Sequence, residues 1–123
     1  MNQERATVDQ LITEIIKGIE EVKGTDISLL DLRKIENTVC DYFVLCSGTS
    51  NTQVNAIAQS IQKQVGKNLK EKPWHVEGEN NAEWILVDYV DVVVHIFQKN
   101  SREFYDLESL WGDAQAISIE TDY

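Results

Sequence analysis

Apolar residues recur along this chain with two periods, and the switches between them mark out its elements. Val8, Leu11, Ile12, Ile15, Ile16, Ile19 and Val22 fall at i, i+3, i+4 and i+7, which predicts an amphipathic helix over residues 7–22. Gly24 closes it, and Thr25-Asp26 opens a turn. Residues 27–32 predict a strand with Ile27, Leu29 and either Leu30 or Leu32 toward the core. After the polar stretch 33–38, residues 42–46 predict a second strand, which runs into Ser47-Gly48-Thr49-Ser50-Asn51. Ser50 and Gln53 have the spacing of a capping box. Val54, Ile57, Ala58, Ile61 and Val65 mark one face of the helix that follows, and Gly66 is expected to end it. Pro73 leads into a short strand over residues 74–77, which Gly78 closes.

The densest β-forming residues lie between Trp84 and Trp111. Residues 84–88 and 92–97 are continuous apolar runs, a pattern suited to a sheet covered on both faces. Tyr89-Val90-Asp91 must reverse the chain between them, without the Gly or Asn that hairpin turns favour. The period then changes to 3.6. Asn100 is the expected N-cap, Glu103 completes a capping box, and Phe104, Leu107 and Trp111 share one helix face before Gly112. That face should pack on the sheet and leave an aromatic edge near solvent. Ile117 and Ile119 stand in a polar tail, residues 113–123, expected to be loosely ordered. The order α-β-β-α-β-β-β-α describes one domain across residues 1–123 with its core over 7–112. Its class is α/β in an α+β-like arrangement, a mixed sheet of about five strands with flanking helices.

Composition changes this picture mainly through charge. The net charge is −10, and residues 77–123 carry eleven acidic against two basic side chains. Such a surface argues against nucleic acid as the main partner and suits a basic protein, although acids also serve solubility. No apolar run reaches the roughly 20 residues of a membrane span, and the first residues carry no apolar signal core, so a cytoplasmic location is expected. Cys46 reads as a small buried hydrophobe in its strand.

The chemistry-bearing residues form no catalytic pattern. Gly48, Thr49 and Ser50 at a helix start could cradle an anion or could simply make a tight, well-capped turn. The spacing fits neither a Walker loop nor a dinucleotide fingerprint. A nucleotidyltransferase needs two carboxylates one residue apart on a strand to hold its metal ions, and the nearest pair here, Asp88 and Asp91, flanks a turn. His75 and His95 form no metal spacing with Cys40 or Cys46, and mid-strand His95 fits a hydrogen-bonded sheet residue. Nothing positions Ser47, His95 and Asp88 as a triad. No enzyme activity, metal or cofactor is therefore expected. Trp84, Tyr89, Tyr105 and Trp111, with Asp88, Arg102 and Glu108, have the composition of a protein interface; for the tryptophans a core role is the equal alternative.

Three segments co-occur in order: Asp41 to Ala58 (DYFVLCSGTSNTQVNAIA), Val76 to Asn80 (VEGEN) and Ala82 to Trp111 (AEWILVDYVDVVVHIFQKNSREFYDLESLW). Together they make the chain, from about Val8 to Gly112, resemble the ribosome silencing factors of the Iojap family. The resemblance implies a fold similar to nucleotidyltransferases without their catalytic carboxylates. It implies binding to the large ribosomal subunit through its fourteenth protein, at the face where subunits join, with translation damped by blocking that joining; organellar relatives act in large-subunit assembly. It also implies a homodimer away from the ribosome. The family pattern covers Gly48, Thr49 and Ser50, then Glu77, Gly78 and Glu79. In the hairpin and last helix it points to Trp84, Asp88, Asp91, His95, Arg102, Tyr105, Leu107, Glu108 and Trp111 as partner-binding. The rival reading is a nucleotide-binding or nucleotidyltransferase-type enzyme using Gly48, Thr49 and Ser50. The chain departs from the family at Thr52-Gln53, where Arg-His is common, and at Val90, where Gly is common. Because Val tolerates positive φ badly, the turn at Val90 is expected to differ in type or length.

Overall fold

The computed structural model describes residues 6–38, 40–106, 112 and 114–123, with no side-chain description for 103–105. Helix α1 (Val8–Glu21) starts at a complete capping box, in which Thr7 Oγ1 accepts from the Gln10 amide and Gln10 Oε1 accepts from the Thr7 amide. Strands β1 (Thr25–Asp31) and β2 (Tyr42–Gly48) lead to helix α2 (Asn51–Leu69). Strands β3 (His75–Glu77), β4 (Trp84–Asp88) and β5 (Val92–Gln98), helix α3 (Lys99–Tyr105) and strand β6 (Gln115–Ile119) complete the chain. The strands form one sheet in the order β3-β4-β5-β2-β1-β6. Only the central β2–β5 pair is parallel; the others are antiparallel.

Both long helices cover the same face of the sheet. Leu11, Ile15 and Ile19 of α1 and Val54, Ile57, Ile61 and Val65 of α2 meet Val44, Cys46, Ile85, Val87, Val94 and Ile96 in the main core. The helices cross closely: a Cβ on Gly18 would stand 2.7 Å from the Ile61 Cα, so only glycine admits this approach. Ser60 Oγ donates to the Gly18 carbonyl there at 2.7 Å. Buried Glu14 joins the same helices by accepting from Gln64 Nε2 at 2.9 Å and Asn68 Nδ2 at 2.6 Å. These bonds, with nearby Lys17, hold its carboxyl below the usual range. Glu14→Ala is expected to cost about 2 kcal/mol in urea unfolding at neutral pH, because two part-buried amides lose a charged acceptor. An unchanged midpoint would show that the pairing contributes nothing.

Four expectations need correction. The sheet has six strands, not five. The sixth is the tail, which pairs with β1 from Ile27↔Ile119 to Asp31↔Gln115. Ile119 packs against the main core and Tyr123 donates from its hydroxyl to the Gly24 carbonyl at 2.6 Å, so a polar segment is ordered by an available edge. Second, α2 runs through Gly66 to Leu69, whose side chain reaches the core, and Lys70 takes the left-handed cap at φ 57°. Third, α3 starts at Lys99 behind Gln98, which makes no side-chain cap bond, so Asn100 and Glu103 are not its capping box. It ends at Tyr105 with Asp106 at φ 45°; Leu107, Glu108 and Trp111 lie outside the described residues. Fourth, the valine of the β4–β5 turn itself takes positive φ, with Val90 at φ 77°. The Asp91 amide donates to the Tyr89 carbonyl at 3.0 Å, the i→i+2 bond of a γ-turn, and the Val90 amide donates to Asp88 Oδ1 at 2.7 Å. The amides of Tyr42, at the start of β2, and of Asp41 just before it both donate to the Asp91 carbonyl. The strain at Val90 is therefore held by neighbours on both sides.

Candidate docking face

Among the described residues, the second face of the sheet is closed over β1, β2 and β5 and open over β3 and β4. Leu30, Leu32, Cys40, Phe43, Leu45, Val93 and Phe97 form a smaller core there. β5 is buried along nearly its whole length, as a run covered on both faces should be. β4 is not, although its sequence is as continuous: Ile85 and Val87 are buried under the helices while Trp84, Leu86 and Asp88 are only half-buried on the other side. Register continues this open face onto β3, because His75 pairs with Asp88 and Glu77 with Leu86.

Trp84 is held rigidly on the open face. Its ring stacks on Phe97 at 5.0 Å and 27°, and its Nε1–H donates to His95 Nδ1 at 3.1 Å. His95 is only 4% exposed and lies edge-on to Phe43 at 4.5 Å. Burial pushes the imidazole down to about 4, so it is neutral at pH 7. With Nδ1 accepting, the proton of the neutral ring sits on Nε2. Beside Trp84, Glu77, Gly78 and Leu86 line a concavity of about 210 Å³. Gly78 has φ 91°, and a Cβ there would stand 2.0 Å from the Trp84 carbonyl oxygen, so its glycine lets the β3–β4 loop close against the tryptophan backbone.

The expected partner-binding residues thus separate. Trp84 and Asp88 share the open face, and half-buried Asp91 lies at its turn. His95 lies beneath and cannot touch a partner directly. Tyr89 is 5% exposed and belongs to the main core, not to a surface. The Arg102 guanidinium is turned inward: Nη1 donates to the Asp26 carbonyl and, at 3.0 Å, to the buried Ser47 hydroxyl, which anchors α3 to the ends of β1 and β2. The side chain of Tyr105 and all of Leu107, Glu108 and Trp111 lie outside the described residues. The face also includes residues that periodicity did not single out, namely Leu86 and, at its edge, Trp74 at 77% exposed and Val90 at 49%. Trp74 was detectable as a tryptophan after a proline in a polar connection, where little apolar sequence is available to cover it.

The turn at Gly48, Thr49 and Ser50 is internally satisfied at its best donors. Gln53 Oε1 accepts from both the Thr49 amide, at 2.7 Å, and its hydroxyl, and the Ser50 hydroxyl accepts from the Gln53 amide. Gln53 Nε2 also donates to the carbonyls of Val22 and Lys23, tying the turn to the end of α1. Gln53 therefore bonds Thr49 and the preceding helix end, and it leaves the Ser50 amide that a full capping box would use. Cys40 and Cys46 are free buried thiols pushed up to about 11 and about 12 by desolvation.

The chain is similar to proteins of one family along its length. The family model described as ribosomal silencing factor during starvation matches residues 5–122. The ribosomal silencing factor of Bacillus subtilis is 43% identical over 102 residues, 82% of this chain and 84% of that protein. The chloroplastic protein Iojap of Zea mays is 33% identical over 108 residues, 88% of this chain and 46% of the maize protein. A crystal structure from Chromobacterium violaceum superposes with a TM-score of 0.81 at 34% identity, covering 87% of this chain and 88% of that one. One from Bacillus halodurans gives 0.75 at 31%, covering 92% and 99%. By this match of sequence and fold, the chain belongs to the ribosomal silencing factor family.

Proposed function

We propose that this protein binds the large ribosomal subunit and represses translation by blocking its union with the small subunit, docking through the open face of β3 and β4 on the subunit's fourteenth protein. The observation that carries the reading is Trp84: an aromatic side chain fixed by Phe97 and His95, with Leu86 and Asp88 beside it, half-buried on the face of β4 opposite α1 and α2. Rigid aromatics of this kind give contact area at little entropic cost. The acidic second half of the chain would speed encounter with a basic ribosomal protein, while the aromatic contacts slow release. The mechanism is steric, with no reacting group. The family membership supports it, as does the name of a mouse relative, mitochondrial assembly of ribosomal large subunit protein 1, which is 31% identical over 81% of this chain.

Co-sedimentation with purified subunits at moderate salt, followed by a subunit-joining assay, tests the proposal. The expected result is pelleting with large subunits alone and dose-dependent inhibition of joining. Binding without inhibition would remove the blocking step, and binding to neither subunit would overturn the reading.

A further inference from the structure

Trp74 is the most exposed large apolar side chain among the described residues, at 77%. Its backbone is nonetheless fixed, because its amide donates to the Asp88 carbonyl at 2.7 Å and Pro73 precedes it. The indole stands at the mouth of a groove of about 370 Å³ lined by Trp74, Asp88, Val90 and Val93. The strained, half-exposed Val90 lines it together with Asp88, whose carboxylate Oδ1 already accepts the Val90 amide and is oriented by it. Two apolar residues exposed together, over an oriented carboxylate, specify an occupant. An anion would be repelled by Asp88. A purely apolar side chain would cover that carboxylate without pairing it, which costs free energy. A lysine or arginine answers both demands: its methylene stem covers Val90 and Val93, and its cationic head lies against the indole face and the carboxylate.

We infer that the groove between Trp74 and the β4–β5 turn is a recognition site for a cationic side chain, arginine above all, on a basic protein segment. Arginine fits best because its flat guanidinium can stack on the indole and bond the carboxylate together. The surplus of acids over bases in residues 77–123 points to the same basic partner. The groove adjoins the docking face through Asp88 of β4. The assignment to a ribosomal partner rests on the proposed function; the chemistry of the groove does not.

The test uses the full chain in two arms. In the first, the indole N–H signal of Trp74, assigned by its absence in Trp74→Phe, is followed by NMR during titration with a blocked Gly-Gly-Arg-Gly-Gly peptide. The citrulline peptide of the same shape, without the charge, is the control. The Trp74 signal is expected to move with the arginine peptide and not with citrulline, and Asp88→Asn, which keeps the acceptor for the Val90 amide, should abolish most of the movement. No movement, or equal movement with citrulline, overturns the inference whatever the ribosome does. In the second arm, Trp74→Ala and Asp88→Asn should each weaken large-subunit binding by about tenfold. Wild-type binding with both variants unaffected would overturn the groove's part in docking. Failure of the wild type to bind would overturn the docking proposal instead and leave the peptide result standing.

Discussion

Trp84→Ala is expected to lower the stability of the domain by about 3 kcal/mol and to weaken large-subunit binding by more than about tenfold. The stability loss follows from what the side chain touches. It covers Phe97 by stacking and supplies the donor for His95 Nδ1. Removing it opens a gap over the second core and leaves a buried ring nitrogen without its donor, two costs that overlap and do not add. Since Trp84 is half-buried, the lower end of the range for aromatic truncation applies. For a chain of this size the expected fall in Tm is about 10 °C. Trp84→Phe separates the two causes, because it keeps a ring on Phe97 and loses only the N–H; it should cost about 1 kcal/mol. Thermal unfolding by circular dichroism reads both. Binding must then be measured at a temperature where Trp84→Ala is still folded, and a folded variant that pellets with large subunits as the wild type does would take Trp84 out of the docking surface.

The sequence made α1 legible because its apolar stripe is complete and its caps are local: Thr7, Gln10 and Gly24 act within a few residues of the helix they bound. The parallel contact of β2 with β5 is different. It joins residues about fifty apart, and no local pattern records it. The open face was hidden for a related reason. Residues 84–88 are apolar without alternation, which reads as burial on both sides, yet the chain has no further helix over β4 among the described residues. Trp84 and Leu86 are half-buried against the second core, and periodicity cannot distinguish such a position from a fully buried one. Conversely, β6 is exposed along most of its length and forms because β1 offers an unpaired edge, a property of the fold and not of residues 115–119. The family resemblance points to His95 and Arg102 as contacts for a partner, while composition also points to Arg102 and position in the strand makes His95 a hydrogen-bonded sheet residue. In the structure their side chains hold other residues in place, His95 for Trp84 and Arg102 for the ends of β1 and β2.

That role gives His95 a consequence in acid. Its folded-state value lies at about 4, against an ordinary value of 6.5, because the ring is buried. At pH 7 it is neutral in both folded and unfolded chains. As pH falls below 6.5 the unfolded chain takes up a proton that the folded one refuses, so stability declines until pH 4, where both are protonated. The expected loss over this window is about 3 kcal/mol. Asp31, held down to about 2 by its bonds to Arg33, contributes stability that is lost only below pH 3.8, so it does not obscure the upper part of the window. His95→Gln retains an acceptor for the Trp84 N–H and does not titrate; its urea midpoint should stay nearly level from pH 6.5 to 4.5 while that of the wild type falls. Equal slopes would show that His95 is not the group responsible. Because the folded ring stays neutral down to about pH 4, Nδ1 keeps accepting from Trp84 through this window, and the acid acts through the unfolded chain, not through the bond that fixes Trp84. Large-subunit binding by the folded wild type between pH 6.5 and 4.5 should therefore parallel that of His95→Gln, while the urea midpoints of the two diverge.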